Sequence, residues 1–172
     1  MGKGDWTPLM HALHRGAPDG VLENMIKTAT VECLEKQSHY SGFTILHFLA
    51  AYARVSAMRR VLEKTNKKIN TQDRIGRTPL HECLWNEKLT HEQHKEVAIL
   101  NITFGASVTI KDKDGKTPLD LYDRNKCYGY EETTRSEKKL DLKELLEKLS
   151  TPSEILARGP DAVKAFKDAL QN

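Results

Sequence analysis

The sequence predicts an all-α solenoid of about four stacked helix-turn-helix repeats joined by short hairpin loops. Three observations predict it. A short Thr-led segment recurs four times, an Asp-x-x-Gly turn stands just before two of the copies, and apolar residues at helical spacing follow them. The segments are Thr7-Pro8-Leu9-Met10-His11-Ala12, Thr44-Ile45-Leu46-His47-Phe48-Leu49, Thr78-Pro79-Leu80-His81-Glu82-Cys83 and Thr117-Pro118-Leu119-Asp120-Leu121-Tyr122, with threonines 37, 34 and 39 residues apart. Self-similarity at such a period means that one supersecondary unit buries its apolar face on the next copy of itself.

Each residue type in the segment has a physical reason. Thr accepts a backbone N–H bond at a helix start, and Pro is tolerated in the first turn, where that N–H has no partner within the helix. The Leu two places after Thr enters the shared core. Asp73-Arg74-Ile75-Gly76 and Asp112-Lys113-Asp114-Gly115 form the turn before the helix, where Gly tolerates positive φ. Val61-Leu62 fills the paired apolar position of the second helix, and Phe104-Gly105-Ala106 ends a helix and opens the next hairpin. Taken together, the segments and turns resemble the ankyrin-repeat family, whose unit is about 33 residues with a Thr-Pro-Leu-His-x-Ala signature. The resemblance covers about residues 5 to 149. It implies an ankyrin-repeat solenoid in which His47 and His81 tie one repeat to the next.

The expected ankyrin-repeat domain is 1–150, with repeats near 2–37, 38–72, 73–111 and 112–150. A helical tail or linker follows over 151–172. The departures from the signature are specific. Met10 stands at the histidine place of repeat one, which reads as a cap repeat, and Asp120 stands there in repeat four. Repeat three is long by about six residues, expected between its helices around Asn86 to His94, and has Asn101 where a leucine belongs. The second helix of repeat four is expected over Ser136 to Leu149, with Leu140, Leu142, Leu145, Leu146 and Leu149 facing the stack. In the tail, Pro160 to Leu170 carries a narrow apolar stripe that folds back on the cap or bridges to a following domain.

Composition narrows the function. The 172 residues carry 27 basic and 24 acidic side chains, a formal charge of +3, too balanced to argue for nucleic acid or an anionic membrane. No apolar run approaches a membrane span, and the first residues lack the apolar stretch of a secretory signal. Three cysteines with no Cys-x-x-Cys pair fit free thiols, so an intracellular, cytoplasmic-type compartment is expected. His91-Glu92-Gln93-His94 falls one residue short of the zinc-protease spacing and reads as a solvated loop between helices. There is no P-loop and no Gly-x-Ser-x-Gly, so no enzyme, metal or cofactor is expected. The basic residues Arg59, Arg60, Lys64, Lys67 and Lys68 lack interleaved aromatics to stack bases, which argues against a nucleic-acid-binding variant.

What remains is a non-catalytic protein-protein interaction module, a scaffold or the recognition arm of a larger protein. Self-association is the alternative. The resemblance implies contact through the hairpin tips and the end of each first helix. On this chain those positions include Tyr40, Phe43, Tyr52, Arg74, Ile75, Arg77, Trp85, Lys116 and Arg124. Aromatic residues and arginine are the types that dominate binding hot spots. An aromatic centre with a basic edge suits a partner segment with acidic flanks.

Overall fold

A computed structural model describes residues 5–124 and 141–146. Helices α1 (Pro8–His14), α4 (Ile45–Ala51), α6 (Pro79–Trp85) and α8 (Pro118–Arg124) each follow one of the recurring threonines. They pack in that order, side by side, as an inner row. Helices α2 (Asp19–Thr28), α5 (Val55–Lys64) and α7 (His91–Thr103) form an outer row behind them, each paired with the inner helix that precedes it. A short α3 (Val31–Glu35) follows α2, and a further helical segment, α9, covers 141–146. Among the described residues there is no strand.

The inner helices form at the threonines because the caps satisfy their first N–H groups. The Oγ1 of Thr7 accepts the Met10 N–H at 3.3 Å. At Thr44 and Thr78 the histidine three places on completes a capping box, with Nδ1 accepting the threonine N–H at 3.1 Å in both repeats. An inner helix has neighbours on two sides as well as behind it, so nearly all of it is buried. In α4, Ile45 through Ala50 are all buried. Outer α5 is amphipathic instead, with Ala57, Met58, Val61 and Leu62 inward.

One core runs the length of the stack, from Leu9, Met10 and Leu13 through Ile45, Leu49, Met58 and Leu80 to Tyr122, Leu142 and Leu146. Leu142 and Leu146 put α9 into that core, where the expected helix over Ser136 to Leu149 was to stand. The rest of that range, and the tail over 151–172, lie outside the described residues.

The excess length of repeat three corrects the reading of His91 to His94. These residues are the first turn of α7 rather than a loop. The link between helices has five residues, 86–90, against three in repeat two, and α7 has 13 residues against 10 in α5. Thr90 caps α7 through a capping box with Gln93, and His94 is fully buried with Nε2 on the Asn86 carbonyl at 3.1 Å. Asn101, in the leucine place, is also fully buried, and its amide donates to the Val97 carbonyl at 2.8 Å. Repeat one likewise carries more than a helix pair, since α3 lies within its long spacing to the next threonine.

Candidate partner-binding face

The hairpins before each inner helix are held by short polar side chains. The Oδ1 of Asp73 accepts the N–H groups of Ile75 at 2.9 Å and Arg77 at 2.8 Å. Asp112 does the same for Asp114 and Lys116, at 3.0 and 2.9 Å. Ser38 takes this place in the first hairpin, and the Asp5 carboxylate receives both the Ser38 hydroxyl and the His39 N–H. Successive tips stack through the backbone. Arg74 N–H donates to the Ser41 carbonyl at 3.1 Å, and Lys113 N–H to the Ile75 carbonyl at 3.0 Å. The stacking needs glycine at the contact: a Cβ on Gly76 would lie 2.8 Å from the Lys113 nitrogen, at a φ of +83°.

Two side-chain ladders tie the repeats together. The Nε2 of His47 reaches the Arg77 carbonyl at 3.0 Å, and that of His81 reaches the Lys116 carbonyl at 3.1 Å. Because each Nδ1 already accepts a backbone N–H, the ring proton sits on Nε2 and the histidine is neutral. Burial favours that neutral form: it pushes His47 down to about 4 and lowers His81 as well. Gln37 and Gln72 form the second ladder. Each amide spans its own hairpin and the next strand of chain, Gln37 reaching the Gln72 carbonyl at 3.1 Å and Gln72 the Lys111 carbonyl at 3.0 Å.

This scaffold sets out the candidate contact residues as follows. Tyr40 and Ile75 stand at successive tips, 61% and 50% exposed. Tyr52 and Trp85, at the ends of α4 and α6, are 42% and 47% exposed. Tyr52 Oη lies 3.4 Å from Nδ1 of His14. Phe43 is only partly exposed. It stacks on the His47 ring at 5.1 Å and meets Phe48 edge-on. Arg74 is exposed, with Nη2 on the His39 carbonyl. Lys116 is half-buried, its backbone held by Asp112 and His81. Arg124 ends α8, and its side chain lies outside the described residues.

Arg77 is the most constrained of these residues. Its guanidinium lies over the Trp85 ring, 4.5 Å from the centroid. Nη1 is 3.6 Å from the Glu82 carboxylate and Nε is 3.8 Å from that of Asp112. Only 13% of its side chain is exposed. It is therefore a buried counter-ion beneath the aromatic residue, whereas Arg74 and Lys113 carry the exposed basic charge at the tips. Glu82 and Asp112 are the residues that the sequence reading missed. The signal for Glu82 was present: Phe48 and Leu121 hold the same register in the flanking repeats, so an acid there breaks an apolar column.

The polar groups elsewhere are structural. Cys83 is fully buried, and burial pushes its thiol well above the ordinary range, opposite to what a nucleophile needs. His91 bridges Tyr122 Oη at 2.8 Å and Asp141 at 3.2 Å, and Lys95 joins Asp141 at 3.0 Å, which holds α9 against α7. Two basic residues of α5 are also engaged: Arg60 pairs with Glu23 at 3.0 Å, and Lys64 donates to three carbonyls at the end of α2. Among the described residues no group of three or more His, Cys, Asp or Glu gathers as a metal would need, and no helix is long and apolar enough to cross a membrane.

Residues 46–98 match the family described as ankyrin repeats (many copies). The chain is 35% identical over 88 residues to the neurogenic locus notch homolog protein 1 of Xenopus laevis, and 35% identical over 91 residues to that of Danio rerio. It is 34% identical over 88 residues to that of Homo sapiens. These matches cover 51 to 53% of this chain but only 3 to 4% of the relatives' length.

Residues 46–98 are ankyrin repeats.

Ankyrin repeats are generally protein-protein interaction modules and generally non-catalytic. The inner-helix ends and hairpin tips described above are the positions where the sequence resemblance leads one to expect partner contact. Fold alone does not select the partner, which depends on the side chains displayed there.

Proposed function

We propose that the chain is a non-catalytic binding module, a scaffold or the recognition arm of a larger protein, that holds a partner segment on its concave face. One observation carries this reading. Of the six large hydrophobic side chains exposed among the described residues, four (Tyr40, Tyr52, Ile75 and Trp85) belong to the tips and inner-helix ends. A face used only as a solvated surface gains nothing from that clustering. The exposed charges beside them, Arg74 and Lys113 with the half-buried Lys116, favour a segment whose apolar centre has acidic flanks.

The test is capture from cell extract by the intact chain and by a Tyr52→Ala/Trp85→Ala double variant of unchanged helicity. Hot-spot aromatics cost about 2 kcal/mol or more when truncated, so partners should be held by the intact chain and lost by the variant. Equal recovery by both sinks the concave-face reading. If the intact chain captures only itself, and its mass rises with concentration, self-association replaces partner binding.

A further inference from the structure

Two carboxylates, Glu82 and Asp112, flank one guanidinium beneath Trp85, the Asp73 carboxylate holds the backbone N–H of the same arginine, and all three acidic residues are buried. They are not equivalent. Asp73 and Asp112 each receive two backbone N–H bonds on Oδ1. Glu82 receives no backbone donor among the described residues, and its charged partner is Arg77 alone. That pair is long for a charge-assisted hydrogen bond, 3.6 Å against an ordinary ~2.7–2.9 Å. Arg77 Nε is buried without a hydrogen-bond partner, so the guanidinium keeps a donor unused. Trp85 covers one face of that guanidinium and is itself half exposed to an incoming ligand.

We propose that Glu82 is a proton switch for the partner face: ionised, its carboxylate holds the Arg77 guanidinium beneath Trp85, and on taking up a proton it yields that guanidinium to an acidic side chain of the bound partner. The proposal rests on the concave-face reading above and adds its regulation. Burial, opposed by Arg77 and reinforced by Asp73, pushes the Glu82 carboxyl up to about 7. The change of charge therefore falls in the physiological range. Burial also raises Asp73, against its two backbone donors.

The other polar groups around the site are engaged in contacts of their own. His81, on the same helix, and His47, from α4, are held neutral by burial, with Nε2 on the Lys116 and Arg77 carbonyls. Asp120, from α8, accepts both the N–H and the hydroxyl of Thr117. His94, from α7, is lowered by burial and faces the Asn86 carbonyl.

The probe is a capped, dye-labelled peptide of leucine and phenylalanine between short glutamate runs. Its affinity is measured by anisotropy at pH 6 and pH 8 for the wild-type chain, Glu82→Gln and Trp85→Ala. If only the protonated face is competent, the competent fraction falls from nearly all to about a tenth across that range, so wild type should bind about tenfold tighter at pH 6. Glu82→Gln, which mimics the neutral acid, should bind at pH 8 as tightly as wild type does at pH 6. Trp85→Ala should lose binding at both values. A pH ratio that persists in Glu82→Gln, or is missing from wild type, overturns the switch and leaves the concave-face reading standing. Absent binding, or binding that ignores Trp85→Ala, overturns both. A readout without ligand is the carbon-13 carboxyl shift of Glu82, assigned by its loss in Glu82→Gln. A midpoint between pH 6 and 8 supports the switch, and one below pH 5 overturns it.

Discussion

At the scale of single residues, the buried ionisable groups set opposing pH trends. For His47 the folded chain holds the value near 4, below the ~6.5 of an unfolded histidine. Its contribution is therefore complete above about 6.5 and is lost as pH falls toward 4. His81 and His94 are lowered by the same cause and add to that trend. Glu82 is raised to about 7, so its contribution is complete below the unfolded value and is lost as pH rises through 7. Glu82→Gln removes the second trend and leaves the first. Its stability relative to wild type should rise by about 2 kcal/mol between pH 5 and pH 8, read by urea melts at each pH. A difference that stays constant with pH would mean that Glu82 is already ionised throughout.

At the scale of elements, helix ends explain most of the polar contacts in the outer row. The Lys64 ammonium, carried on α5, donates to the carbonyls of Ile26 at 2.7 Å, Lys27 at 2.8 Å and Ala29 at 3.2 Å. These are the orphan acceptors at the end of α2, where a cation also offsets the helix dipole. Lys64→Met keeps the stem and removes the donor. It should cost about 1 kcal/mol and speed amide exchange in α2 more than in α7. Equal acceleration in both helices would show a global effect instead. The sequence made some elements legible and hid others, for reasons of the same kind. Inner helices announce themselves because cap, Pro and Leu recur in one register. Helix α7 was half hidden: His94, Val97, Ala98, Leu100, Asn101 and Ile102 are buried on several sides of it, so no single apolar stripe marks its first turn. Short α3 has one buried residue, Leu34, and too little pattern to read. On the candidate face, residue type flagged the exposed aromatics, but the burial of Arg77 depends on Glu82 and Asp112, which lie on different elements and meet only in the folded stack.

At the scale of the whole molecule, a solenoid is a chain of nearest-neighbour interfaces, and the last two interfaces here each have a histidine latch. His47 joins repeat two to repeat three through the Arg77 carbonyl, and His81 joins repeat three to repeat four through the Lys116 carbonyl. Asp120 does the local part of that work, accepting from Thr117 at 2.8 and 2.9 Å, and Lys111 stands where Gln37 and Gln72 stand in the earlier hairpins. Cutting a latch should therefore fail locally rather than evenly. His81→Ala leaves a cavity and an unsatisfied carbonyl at the last interface, a cost of about 2 to 4 kcal/mol. Hydrogen exchange should show α8 opening first while α4 and α5 keep their protection. His47→Ala makes the same lesion one interface earlier and should split α1 to α5 from α6 to α8, releasing two repeats at once. If both variants instead lower protection evenly along the chain, the four repeats unfold as one cooperative unit and the histidines stabilise the stack as a whole rather than the interface each one spans.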